Sequence, residues 1–176
     1  MPIRFAVGAA APWRAMAADD LPAVHALSVR VHPRYPERKA VLAEKLRLFP
    51  AGCFVLDGPG GIRGYCFSHP WRDEAWPALD ALLQALPSRP SAYFIHDLTL
   101  DPDMRRQGHG RAVVPMLFAA ACALGLDRAN LIAVEGHAPF WQAAGFAPVA
   151  DPAAQAAVRA KYGQGAVAMT RQIAGS

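Results

Sequence analysis

The chain has 176 residues, 53% of them hydrophobic and 18% charged, which suits a folded domain with a real core and excludes a disordered chain. The formal net charge is +4, carried mostly by arginines spread along the sequence. No Lys/Arg block interleaved with aromatics occurs, so nucleic-acid binding is not indicated, while a modest positive field suits an anionic ligand. No apolar run reaches the roughly 18 residues expected of a membrane span, and the Ala-rich stretch 5–12 is short and weakly apolar for a secretory leader. Cys53, Cys66 and Cys122 are odd in number and scattered, with no C-x-x-C between them, so each reads as a small buried side chain rather than part of a disulfide framework or a metal site. A cytoplasmic protein without membrane or nucleic-acid partners is expected.

In chain order, residues 1–12 form an arm and Trp13 to Met16 a short first strand. Asp19 and Asp20 cap a helix that tolerates an early Pro22 and has Leu21, Val24, Leu27 and Val31 on one side. His32-Pro33-Arg34-Tyr35-Pro36 breaks it. Glu37 to Phe49 reads as a second helix, ended by Pro50-Ala51-Gly52. Cys53–Leu56 and Ile62–Ser68 flank Asp57-Gly58-Pro59-Gly60-Gly61, a hairpin signal. His69 to Ser91 is a long connection with a helical piece over 77–86. Tyr93 to Leu100 is extended, and a helix begins near residue 109 and runs to about Leu124. Asn130 to Val134 is a strand, 139–144 a helix, and Phe146–Val149 and Val167–Gln172 are last strands around a segment from Asp151 to Gly165. Pro115 lies inside the 109–124 helix, where it removes a helix bond at a cost of about 3 kcal/mol unless the helix kinks.

Residues 98–111 read Leu-Thr-Leu-Asp-Pro-Asp-Met-Arg-Arg-Gln-Gly-His-Gly-Arg. A strand, a Gly- and Arg-rich loop and a helix start follow in that order. The first N–H groups of a helix have no intrahelical partner and carry the positive end of its dipole, which makes a cradle for phosphate. Gly108 and Gly110 allow close backbone approach, and Arg105, Arg106 and Arg111 add charge. The spacing is neither G-x-G-x-x-G nor a Walker loop.

Arg105-x-x-Gly108-x-Gly110 after Leu98-Thr99-Leu100-Asp101-Pro102 resembles motif A of the GNAT superfamily of acyl-CoA-dependent N-acyltransferases. Phe140-Trp141-Gln142-Ala143-Ala144-Gly145-Phe146 is similar to that family's second cofactor segment, commonly F-Y-x-x-x-G-F, with Phe140 and Phe146 expected to be buried. The resemblance implies an α/β (α+β) fold. It has a mixed, mostly antiparallel sheet of six to seven strands flanked by about four helices, splayed at the 93–100 strand, in a single domain over 1–176. It implies acetyl-CoA as cosubstrate, without a metal. The cosubstrate would be held by Leu98, Thr99, Leu100, Arg105, Arg106, Gln107, Gly108, His109, Gly110 and Arg111, and by Phe140 and Trp141.

Acetylating an amine needs a proton acceptor, because a free alkylamine has a pKa near about 10.4. Many members of the family use a carboxylate on the strand before motif A. Here that place is taken by His96, followed by Asp97. A histidine is a competent base at neutral pH. Adjacent strand residues point to opposite faces, so only one of the two faces the cleft unless a bulge intervenes. The family's usual tyrosine acid is replaced by Trp141, whose N–H donates a hydrogen bond but is no acid at neutral pH. Tyr162 is the one tyrosine after motif A and stands as the candidate acid or substrate contact. The connections that close the family's cleft place Tyr35, His69 and Trp71 at the acceptor, and Glu37, Asp73 and Glu74 can attract a cationic amine. The expected activity is acetyl transfer from acetyl-CoA to a primary amine of a small molecule or peptide, by direct attack with base assistance. The alternative is a catalytically silent acyl-CoA-binding sensor or interaction module. A homodimer is compatible with either.

Overall fold

The computed structural model of the protein describes residues 13–173, so the expected 1–12 arm lies outside the described residues. The elements in chain order are β1 (Trp13–Ala15), α1 (Leu21–Val31), α2 (Lys39–Leu48), β2 (Cys53–Gly58), β3 (Gly61–Trp71), β4 (Ala92–Leu100), α3 (His109–Ala123), β5 (Arg128–Ala133), α4 (Ala138–Ala143), β6 (Ala147–Pro148), α5 (Pro152–Tyr162) and β7 (Val167–Gln172). The strands form one seven-stranded sheet in the order β1-β2-β3-β4-β5-β7-β6. β4 and β5 are parallel; the other neighbours are antiparallel. Among the described residues no helix is long and apolar enough to cross a membrane.

The amphipathic patterns set the layers. Val24 and Leu27 of α1 and Leu42 and Leu46 of α2 pack against Val55, Tyr65 and Phe67 on one face of the sheet. Val113, Val114 and Leu117 of α3, with Trp141 and Phe146, pack against Tyr93, Ile95, Leu131 and Met169 on the other. A third cluster joins Ala154 and Val158 of α5 to Trp76, Phe94 and Ala168. Fully burying an aliphatic or aromatic side chain of this kind contributes about 1.5–3 kcal/mol, so the faces of these helices fix which side of the sheet each one covers.

Two features of β4 position the site. Its pairing with β5 runs from Tyr93↔Ala129 to Ile95↔Leu131 and then stops, so the sheet splays from His96 onward. Its pairing with β3 goes from Phe67↔Asp97 to Ser68↔Ile95, which leaves His96 as the extra residue of a bulge. The bulge breaks the strict alternation of strand faces. Ile95 and Leu98 lie with the α3 cluster. Asp97 and Thr99 lie opposite Phe67 and Tyr65 on the α1–α2 face, and His96 meets Glu37 on that same face. The alternative left open by the sequence is therefore resolved in favour of both: His96 and Asp97 share a face.

Several expectations need correction. Residues 77–86 form no helix: Asp80 and Gln84 take positive φ, and the N–H groups of Leu83 and Gln84 donate to the Glu44 carboxylate at 2.7 and 3.0 Å instead of to helical carbonyls. The segment after Asp151 is a fifth helix, with the Asp151 side chain accepting from the Ala153 N–H at 2.9 Å as an N-cap ahead of Pro152. Strand β3 continues through His69, Pro70 and Trp71, so these residues are not in a loop. Cys53 and Cys66 are buried, but Cys122 is exposed on α3. Phe146 is buried, whereas Phe140 is only half-buried. Pro115 sits on the exposed side of α3, where the Arg111 carbonyl lacks its helical donor.

Candidate active site

A cavity of about 800 Å³ follows the splayed edge of β4. At one end lies the turn that enters α3. Its main-chain N–H groups from Arg106 to Arg111 have no acceptor among the described residues, and the N-cap, Gly108, supplies no side-chain cap. The two glycines are needed for different reasons. Gly108 takes φ +84°, and a Cβ there would meet only open space. A Cβ on Gly110 would stand 3.1–3.2 Å from the Phe140 ring. Gly108 thus serves the turn and Gly110 the packing of the second aromatic segment. Leu98, Thr99, Leu100, Arg105, Arg106, His109, Arg111, Phe140 and Trp141, named above as candidate cosubstrate contacts, also line the cavity. Gln107 does not; its side-chain amide donates back to the Asp103 carbonyl at 2.7 Å. Strand β1 anchors this end, because the Trp13 indole N–H donates to the His109 carbonyl at 2.9 Å. Orphaned N–H donors beside three guanidinium groups fit a phosphate-bearing ligand.

The middle of the cavity holds the ionisable groups. His96 is almost fully buried, and its Nε2 lies 3.2 and 3.3 Å from the two Glu37 oxygens. Lys45 Nζ donates to the same carboxylate at 3.3 Å from inside the core. Burial on its own raises the Glu37 carboxyl, but His96 and then Lys45 outweigh it and bring it down to about 2. An ionised carboxylate only accepts, so Nε2 of His96 donates to it, and Nδ1 is buried without a partner among the described residues.

Asp97 is differently engaged. Its Oδ2 accepts from the Tyr65 hydroxyl at 2.7 Å and its Oδ1 from the Thr99 hydroxyl at 2.8 Å. Burial, and then the Asp97 charge, push the Tyr65 phenol well above its ordinary value, so it remains a donor. Because Thr99 gives its only hydrogen to Asp97, it accepts from His32 Nε2 at 2.7 Å. A chain of hydrogen bonds thus ties the end of α1 to β4 and β3.

Tyr35 and Tyr162 line the far end. The Tyr162 hydroxyl donates to the Pro77 carbonyl at 2.7 Å, and burial, followed by the Glu37 and Asp97 charges, raises its pKa. Its proton is thus committed to a main-chain oxygen, which argues for a wall rather than an acid. His69 and Trp71, expected at the acceptor, do not line the cavity. Their strand positions put them behind it: His69 is 1% exposed and packs on Trp71, Phe94 and His96. Burial, then the nearby His96, lower its pKa to about 3, so it is a neutral core side chain. Asp73 is bound to Asn130 and Arg128, and neither it nor Glu74 lines the cavity.

Glu37 as the partner of His96, with Lys45 behind it, was not legible as a site. The one signal was Lys45 itself, which falls on the apolar stripe of α2 with Leu42 and Leu46.

No protein-family model and no curated protein matches the sequence. The backbone does match solved structures. The loading GNATL domain of CurA from Lyngbya majuscula superposes with a TM-score of 0.73 at 12% identity, covering 92% of this chain and 96% of that one. GphF, described as a GNAT-like decarboxylase in complex with isobutyryl-CoA, gives 0.69 at 20% identity over 92% and 98%. The ribosomal-protein-S18-alanine N-acetyltransferase of Escherichia coli gives 0.62 at 18% identity over 94% and 95%. The chain has the GNAT fold.

Proposed function

We propose that the protein is an acyl-CoA-dependent N-acetyltransferase that moves an acetyl group from acetyl-CoA to a primary amine of a small molecule or peptide. One observation carries this reading: a single cavity joins the unpartnered N–H groups at the start of α3 to the His96–Glu37 pair. The N–H groups and Arg105, Arg106 and Arg111 take the phosphates, and Trp141 walls the acyl-carrying arm. His96 is the base. Held on Glu37 through Nε2, its imidazole takes up the proton of the amine, directly or through water, as the nitrogen attacks the thioester carbon. The new C–N bond forms, the C–S bond breaks and the thiolate leaves. Trp141 supplies no acid for that departure. The proposed setting is the cytoplasm.

Thiol release from acetyl-CoA with a panel of amines tests this. Turnover that requires an amine supports it. His96→Ala is expected to lower turnover by roughly 10²–10⁴-fold while leaving acetyl-CoA affinity unchanged. Glu37→Gln, which keeps the shape but not the charge, is expected to lower turnover with the same pattern.

The same imidazole–carboxylate pair, together with the absence of a phenol at position 141, favours a second reading suggested by the likeness to GphF. A carboxylated acyl thioester would lose carbon dioxide, the electrons of the broken C–C bond would pass to an enolate, and protonated His96 would return a proton to carbon. Carbon dioxide release from malonyl-CoA without thiol release selects that reading. Binding of acetyl-CoA with neither product selects the silent module.

A further inference from the structure

The acetyl-transfer reading leaves the acceptor unnamed, and the far end of the cavity bears on it. β4 leads at Leu100 into the phosphate-binding turn, so the opposite direction along the strand, past His96 toward Phe94, is the acceptor end. We propose that the acceptor is a small primary amine whose remainder is apolar or aromatic and bears no second charge. This rests on the acetyl-transfer reading and adds the chemical class of its substrate.

The walls come from distant parts of the chain. Tyr35 lies between α1 and α2, Leu79 in the connection after β3, Phe94 on β4 and Tyr162 at the end of α5. The rings of Tyr35 and Tyr162 are 6.5 Å apart and inclined by 30°. Their hydroxyls are spent on main chain: Tyr35 donates to the Tyr162 carbonyl at 3.3 Å and Tyr162 to the Pro77 carbonyl at 2.7 Å. What remains for a ligand is ring surface and the acceptor lone pairs of the two hydroxyl oxygens. The Tyr35 bond also bridges the loop between α1 and α2 to the end of α5.

Charge is allotted just as tightly. The two carboxylates here are occupied, Glu37 by Lys45 and His96, and Asp97 by Tyr65 and Thr99. Among the described residues the arginines that line the cavity all belong to the phosphate-binding turn, and no lysine lines it. A second ammonium on the ligand would find no free carboxylate, and a ligand carboxylate would find no arginine or lysine outside that turn. Either would be desolvated without compensation. The reacting ammonium itself is drawn in by the net negative charge of Asp97 and by the tyrosine faces before it gives up its proton.

The test measures kcat/KM for thiol release from acetyl-CoA with 2-phenylethylamine, ethylamine, propylamine, butylamine, putrescine, β-alanine and an alanyl peptide. We expect a rise of about fourfold per buried methylene along the alkyl series. We also expect 2-phenylethylamine to exceed putrescine, β-alanine and the peptide by about tenfold or more. Leu79→Lys, at a half-buried position where a lysine can be solvated, should shift the ratio of β-alanine to propylamine upward by about fivefold or more without changing acetyl-CoA affinity. A second readout is calorimetric binding of N-(2-phenylethyl)acetamide and N-acetyl-β-alanine to the protein with CoA. Preferential binding of the aromatic amide with no amine turned over would uphold the pocket's chemistry and overturn acetyl transfer. Turnover of putrescine, β-alanine or the peptide at least as fast as the aromatic amine, or amide binding without preference, would overturn the proposal.

Discussion

Replacing His69 by leucine tests whether it is a neutral core side chain rather than an acceptor contact. Its pKa of about 3 lies below the ordinary value of 6.5, because burial, and then His96, disfavour the charged ring. The unfolded chain therefore binds a proton at His69 as pH falls through 6.5, while the native protein does not until about 3. The contribution of the neutral ring is fully present above pH 6.5 and is lost as pH falls toward 3, at about 1.4 kcal/mol per pH unit. Between pH 7.5 and 4.5 the native protein should lose about 2.7 kcal/mol relative to His69→Leu. Below pH 4.5 the Glu37 carboxylate, brought down to about 2, adds a loss of the same sign, so the comparison stays above that value. Urea unfolding of both proteins at pH 7.5, 6.5, 5.5 and 4.5 measures the difference. The leucine removes the pH-dependent component whatever constant effect it has on packing, so the slope is the readout. A stability difference that stays constant over this range would refute the assignment of a neutral, buried His69.

Three further outcomes follow from particular contacts. Gly108→Val should abolish the thermal stabilisation by acetyl-CoA, because φ +84° opposes any β-branched residue and the side chain would occupy the cradle; an undiminished shift in melting temperature counts against the phosphate-binding role of the turn. Pro115→Ala should raise stability by about 1–3 kcal/mol, since the position is exposed and alanine restores the donor to the Arg111 carbonyl; an unchanged urea midpoint would show that the helix gains nothing from that bond. Trp141→Phe should keep turnover while weakening acetyl-CoA binding severalfold, because the indole packs on Phe140 and Phe146 and offers a wall rather than a proton; a large fall in maximal rate at unchanged affinity would give the position a catalytic part.

Much of this architecture is readable from local chemistry. The Asp-Pro stop after Leu100, the glycines at 108 and 110 and the apolar stripe of α3 are signals within about fifteen residues, and the strand–turn–helix unit they define is where it was expected. The 152–162 helix carried its own Asp-Pro cap, yet its mean polarity hid the short buried stripe of Ala154 and Val158. The 77–86 piece failed for the opposite reason. Its Pro, Ala and Leu content suits a first helical turn, but Glu44 and Arg38 from α2 and its N-terminal flank claim its backbone and its Asp80. His69 and Trp71 were misplaced because Pro70 reads as a strand terminator, whereas here it lies inside β3 opposite Tyr93.

The site's central pair lay beyond any such reading, because it depends on one extra residue in a ladder. Without the bulge, His96 and Asp97 would face opposite sides of the sheet. Asp97 would then reach either the Tyr65–Thr99 network or the cleft, with His96 on the other side among the apolar side chains of α3. The bulge puts both on the α1–α2 face and ends the pairing with β5 at the same point. One irregularity thus falls where the sheet splays, and brings the imidazole to the carboxylate of a loop fifty-nine residues earlier in the chain. Lys45 makes that carboxylate affordable in the interior, since an unpaired buried charge of this kind would otherwise be neutralised by a raised pKa. The opening of the splay and the contact between His96 and Glu37 therefore meet at the same register shift, and a change that restored regular pairing at His96 is expected to disturb both together.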